Sequence, residues 1–242
     1  MKLVRTVRHS HSRKWLALVI HLFTASGAVW GLLAILAIFQ HAWQAAFLWM
    51  MLATLVDSVD GTLARWLRIT EGASGFDGAL LDNIVDYETY VIVPALLVYE
   101  AGLLPASWAL AGTAVIVLTS AFQFSQLDAK TEDHFFKGFP SYWNVLALYL
   151  FLLQLPVWFN LVLVIICGIL VFVPVKYLYP SRMERFRRLT LVLTLTWGGL
   201  MLTAVLQYPH YSQRLVWLSL LYAVYYFAFS LWLSRSSSLT QP

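Results

Sequence analysis

Cysteine is almost absent. The single thiol, Cys167, lies inside an apolar run, which excludes an intrachain disulfide and a thiol metal site. Charge is scarce too: only 12% of the 242 residues are charged, about half the ~25% of a soluble domain. With 60% of residues apolar and a mean hydropathy of +0.72, a water-soluble fold could not cover its own apolar surface. Lipid must cover part of it. No nucleophilic Ser or Cys triad and no glycine-rich phosphate loop occurs, so those chemistries are set aside. The apolar runs lack period-two alternation, which argues against a barrel. No long linker or low-complexity segment interrupts the chain, and residues 1–242 read as one integral membrane domain.

What is present is a series of apolar runs. A span needs roughly 20 apolar residues to cross a core of ~30 Å. Eight candidates fall at about 15–39, 42–66, 77–100, 105–127, 141–155, 157–178, 189–207 and 213–233. The first exceeds the ~7–15 residues of a signal-peptide core, so it is expected to remain as a span. The fold class predicted is all-α, a polytopic membrane bundle of about eight transmembrane helices. Lys2, Arg5, Arg8, Arg13, Lys14, Arg65, Arg68, Lys130, Lys137, Lys176, Arg182, Arg185, Arg187, Arg188 and Arg235 all fall on alternate connections. They make up 15 of the 16 basic residues, with Arg214 alone on the other side. This asymmetry predicts that both termini are cytoplasmic. The net charge of +4 is therefore read as orientation and attraction to anionic headgroups, with no nucleic acid partner.

The informative acids lie where the second span ends and the third begins. Asp57, Asp60, Gly61, Ala64 and Arg65 fall at i, i+3, i+4, i+7 and i+8, one face of a helix. Gly78, Asp82 and Asp86 stack along one face of the next. Two helices joined by a short connection lie antiparallel and adjacent, so four carboxylates are expected to converge. Unpaired charges at membrane depth are costly, and divalent cations resolve the conflict. Oxygen ligands with no nearby His or Cys favour Mg²⁺ or Mn²⁺ over Zn²⁺, with a pyrophosphate completing the shell. The small residues Gly61, Ala64 and Gly78 leave room for a bulky ligand, and Arg65 can fork onto phosphate. Asp77 lies off the pattern and reads as a helix N-cap.

These residues resemble the signature of the CDP-alcohol phosphotransferase family, D-x2-D-G-x2-A-R followed by G-x3-D-x3-D. Asp57, Asp60, Gly61, Ala64, Arg65, Gly78, Asp82 and Asp86 meet every fixed letter. The spacer of twelve residues, 66–77, is longer than usual and is similar to the branch that joins CDP-diacylglycerol to free choline. The stretches His21–Gly27, Asp82–Tyr87 and Gly138–Asn144 also resemble that branch. The resemblance implies release of CMP, dependence on Mn²⁺ or Mg²⁺ (two ions), a bacterial inner membrane with the site facing the cytoplasm, and a homodimer. It further implies that Asp57, Asp60, Asp82 and Asp86 hold metal, with Asp86 also acting as general base and Arg65 steadying a phosphate. Gly61, Ala64, Arg65, Gly78 and Thr24 would line the CDP-lipid site.

Choline's quaternary nitrogen offers no hydrogen-bond donor, so selection needs aromatic faces or a carboxylate. Tyr90, one turn beyond Asp86, and Tyr142 and Trp143, at the mouth of the fifth span, are the candidates, although interfacial belts use most Trp and Tyr of such chains. Tyr87 and Glu88 should point elsewhere. Serine, glycerol phosphate or inositol phosphate are alternative acceptors, but beyond Arg65 and Arg68 few cations stand ready for an anionic one. A cation transporter would carry polar residues through the whole depth, and a prenyltransferase would need a second Asp-rich motif.

Overall fold

The computed structural model describes residues 2–66, 77–126, 135–178 and 186–238. Apolar composition and the need to pair every backbone amide inside lipid dictate helices, and helices dominate. They are α1 (Lys2–Phe39), α2 (Trp43–Trp66), α3 (Gly78–Tyr87), a π-helical turn (Glu88–Ile92), α4 (Val93–Glu100), α5 (Ala109–Ser125), α6 (Trp143–Leu153), α7 (Val157–Leu170), α8 (Arg187–Leu206) and α9 (Gln213–Ser238). Because α3, the π turn and α4 are continuous, the described residues form eight rods, one for each expected span.

Four stretches are long and apolar enough to cross a membrane by length and composition: Trp15–Phe39, Trp43–Leu63, Arg187–Leu206 and Gln213–Trp232. The rod over residues 78–100 reaches about 34 Å at a rise of 1.5 Å per residue. The runs expected at 141–155 and 157–178 are only partly helical. α6 has 11 residues and α7 has 14, about 16 and 21 Å. The tail of the second run forms β2 (Lys176–Leu178), paired antiparallel with β1 (Phe135–Lys137), which lies before the first run, and a largely buried irregular segment, residues 138–142, leads into α6. That segment is tolerated because its amides are paired: Gly138 N–H donates to the Val175 carbonyl (2.9 Å) and Phe139 N–H to that of Leu170 (3.0 Å). Gly138 has φ +79°, and a Cβ there would lie 2.2 Å from the Val171 carbonyl oxygen.

The rods alternate in direction. At one end the turns touch each other: Gln44 donates to the carbonyls of Val205 and Leu206, Asn160 to that of Leu103, and Tyr211 and Gln213 to that of Leu152. The opposite end carries the ribbon, the close of α2 and the start of α3. The core between them is built from Ile38, Phe47, Val91, Leu97, Leu150, Leu152 and Met201. Leu195, Leu221, Val224 and Leu118 face outward, each at least 64% exposed, as expected for a lipid-facing surface.

Two local features position the site. Asp77 caps α3 as expected, accepting from Leu80 N–H at 3.0 Å. Pro94, at the start of α4, has no amide to donate, and its ring would press on the carbonyl four residues back in a regular helix. The chain answers with the π turn just before it, where Val93 N–H reaches the Glu88 carbonyl. Such turns recur at functional sites, and this one carries Tyr90.

Candidate active site

Asp57 and Asp60 lie one turn apart on α2, and Asp82 and Asp86 one turn apart on α3. The third wall is α1, which contacts both α2 and α3. Its approach depends on Gly27, where a Cβ would stand 2.6 Å from Val85 Cγ1. The three helices enclose a narrow cleft lined by Thr24, Gly27, Ala53, Val56, Asp57, Asp60, Asp82, Val85, Asp86 and Thr89.

Inside it, one carboxylate oxygen from each of Asp57, Asp82 and Asp86 lies within 4.8 Å of the others. Ionised carboxylates at that separation repel by about 3.5 kcal/mol per pair at an effective dielectric of about 20. A divalent cation among them converts each repulsion into attraction. Three hard oxygen donors fit Mg²⁺ or Mn²⁺, and the cluster contains no soft ligand.

Asp60 stands apart from this trio. It is 5% exposed, and its carboxylate accepts a hydrogen bond from Thr24 and lies in the field of Asp82 and Asp57. The four acids therefore share one cleft, but the tight group is three of them, with Asp60 tied to α1. The same Thr24 hydroxyl lies 3.3 Å from the Ile20 carbonyl, so its one proton is shared between that carbonyl and Asp60.

Tyr90 is brought in by the π turn, and its hydroxyl donates to Asp57 Oδ2 at 2.7 Å. Its ring lies 6.3 Å from that of Tyr142. Trp143 is not part of this group. It is 1% exposed, donates from Nε1 to Ser120 Oγ at 2.6 Å and packs edge-on against Phe139. The expectation that it faces an alcohol is corrected: one residue further along, α6 has begun and the side chain turns into the core. Tyr87 points away as expected, donating to the Val117 carbonyl at 3.0 Å.

Gly78 differs from the expectation of open space. The volume a Cβ would take is filled by the His21 imidazole, 2.6 Å away at Cε1, so this glycine seats α3 on α1. Gly61 is half-buried on α2. The side chains of Ala64 and Arg65, and the whole of Arg68, Lys130, Arg182 and Arg185, lie outside the described residues. Sequence reasoning missed Thr89 in the cleft and Asn144, whose Nδ2 donates to Thr54 Oγ1 at 3.1 Å one turn above Asp57. Thr89 had a signal, since it stands at i+7 from Asp82.

Comparison with known proteins agrees with this geometry. The family model for CDP-alcohol phosphatidyltransferase matches residues 16–175, which include all four acids. The chain is 38% identical over 218 residues to the phosphatidylcholine synthase of Pseudomonas aeruginosa, covering 89% of this chain and 90% of that protein. It is 48% identical over 167 residues to that of Legionella pneumophila, covering 68% of this chain and 65% of the relative. A third relative, the phosphatidylcholine synthase of Mesorhizobium japonicum, is 38% identical over 200 residues, 81% of this chain and 75% of its own. A chain with this match across its first seven helices, and with these acids gathered in one cleft, belongs to the CDP-alcohol phosphatidyltransferase family.

Proposed function

We propose that this protein transfers the phosphatidyl group of CDP-diacylglycerol to choline, giving phosphatidylcholine and CMP. The observation that carries the reading is the meeting of Asp57, Asp82 and Asp86 oxygens within 4.8 Å in a chain whose relatives are named for that product. The choline oxygen attacks the phosphatidyl phosphorus, the bond from that phosphorus to the CMP oxygen breaks, and the electron pair leaves with CMP. Asp86 accepts the choline proton. A carboxylate is a weak base toward an alcohol, so orientation supplies much of the acceleration.

Asp57, Asp60, Asp82 and Asp86 would hold Mn²⁺ or Mg²⁺, two ions in all. When bound, they neutralise the pyrophosphate and the charge developing on CMP. Thr24 holds the Asp60 carboxylate, and Tyr90 holds that of Asp57. Arg65 steadies a phosphate, while Gly61 and Ala64 accept the cytidine end. The rings of Tyr90 and Tyr142 flank the ammonium group. Residues 1–242 act as one domain in the inner membrane, with the cleft and both termini toward the cytoplasm, and assemble as a homodimer. The basic residues on alternate connections support that orientation.

The test supplies purified protein with CDP-diacylglycerol, Mn²⁺ and one alcohol at a time, and measures CMP. Release is expected with choline. Release with serine or inositol phosphate but not choline overturns the acceptor, and no release with any alcohol overturns the transferase reading. Asp86→Asn should end turnover while CDP-lipid binding persists; normal turnover refutes the role of Asp86.

A further inference from the structure

The family model ends at residue 175, yet elements beyond it reach the site. β2 follows directly, and α9 packs on β2 and α6. From α9, Tyr226 is 8% exposed, and its ring lies 6.3 Å from Tyr142 at an interplanar angle of 59°. Its hydroxyl is hydrogen-bonded to that of Tyr142. Tyr142 in turn lies 6.3 Å from Tyr90, and Tyr90 donates to Asp57. Behind Tyr226 stands Tyr177 of β2, 4% exposed and part of the same cluster. Three phenol rings thus run in succession from the last helix to the acidic cleft.

The chemistry shared by a family belongs with what its members share, here the aspartates within residues 16–175. Discrimination among alcohols needs something additional. A trimethylammonium group is recognised by ring faces within ~6 Å, and two or three faces are the usual cage. Tyr142 already has two rings at 6.3 Å, Tyr90 from the π turn and Tyr226 from α9. We propose that Tyr226 is a wall of the alcohol subsite, so that α9 selects the trimethylated ammonium over amines with fewer methyl groups. The proposal rests on the choline-transferase reading above and assigns its selectivity to a helix outside the shared domain.

The test compares wild type, Tyr226→Phe and Tyr226→Leu by CMP release with choline, dimethylethanolamine and ethanolamine. The KM for CDP-diacylglycerol is measured alongside. Removing the ring should raise the choline KM by about 5- to 30-fold. The preference for choline over ethanolamine in kcat/KM should fall by a similar factor, with the CDP-diacylglycerol KM unchanged. The Phe variant keeps the face and should hold the preference within about threefold. If Tyr226→Leu does not fold, Tyr226→Met, whose longer flexible chain fills irregular gaps better, must give the same collapse of selectivity. An unchanged preference in the ring-less variant overturns the assignment, as does an equal fall in kcat for all three alcohols. Wild type that releases no CMP with choline overturns choline as the acceptor, on which this proposal rests, whereas choline-dependent wild type with an indifferent Tyr226→Leu overturns this proposal alone.

Discussion

Tyr90→Phe removes one oxygen and nothing else. The hydroxyl donates to Asp57 Oδ2 at 2.7 Å, a short bond to a carboxylate at membrane depth. Bonds to charged groups contribute about 1.5–3 kcal/mol, which at 1.4 kcal/mol per decade is roughly 10- to 150-fold. Partners that hold a metal-ligating carboxylate carry a similar weight, about 10–100-fold in metal affinity or activity. Because Asp57 supplies one of the three clustered oxygens, the loss should appear as a weaker response to metal. Mn²⁺ titrations of CMP release, at saturating CDP-diacylglycerol and choline, should shift to about 10–100-fold higher Mn²⁺. The ring remains beside Tyr142, so the choline KM at saturating Mn²⁺ should change little. Superimposable Mn²⁺ titrations for wild type and variant would refute the coupling of Tyr90 to a metal ligand.

Other changes separate packing from chemistry. Gly27→Ala places a Cβ 2.6 Å from Val85 Cγ1; overpacking costs about 1–3 kcal/mol, so thermal unfolding in detergent should move down by several degrees and turnover should fall, and an unchanged midpoint contradicts the tight α1–α3 contact. Trp143→Phe deletes the 2.6 Å bond to buried Ser120 and should lower stability by about 1–3 kcal/mol while leaving the choline KM alone; a raised KM would restore Trp143 to the alcohol subsite. Asp77→Ala removes the cap on α3 at about 1 kcal/mol, seen as a small drop in unfolding temperature with the Mn²⁺ response retained.

The spacing of the acids was legible because it is local. Asp57 with Asp60, and Asp82 with Asp86, share helical faces by periodicity alone, and a short connection forces the two helices together. Asp77 was legible as a cap for the same reason. The division of the four acids into a trio and an outlier was not, since it depends on Thr24 of α1 reaching Asp60. The π turn had a sign in Pro94, but a proline near the middle of an apolar run tells of a disturbance and not of its form. Runs 141–155 and 157–178 looked like spans because Tyr142 and Tyr177 are apolar enough for helix. The ribbon and the irregular segment before α6 are set by distant partners: Gly138 and Phe139 donate to Val175 and Leu170, more than 30 residues on. Trp143 misled for a similar reason: its direction is fixed by Ser120 on another helix. Tyr226 carried no signal at all, because its approach to Tyr142 depends on the last helix folding back across the bundle.

The most direct test of a divalent ion held among these acids is anomalous diffraction from crystals grown with Mn²⁺ and a CDP-lipid. Manganese peaks bounded by the carboxylate oxygens of Asp57, Asp82 and Asp86, and absent from Asp82→Ala crystals, are the expected result. A cleft with no anomalous signal while substrate is bound, or manganese bound only elsewhere, would contradict it.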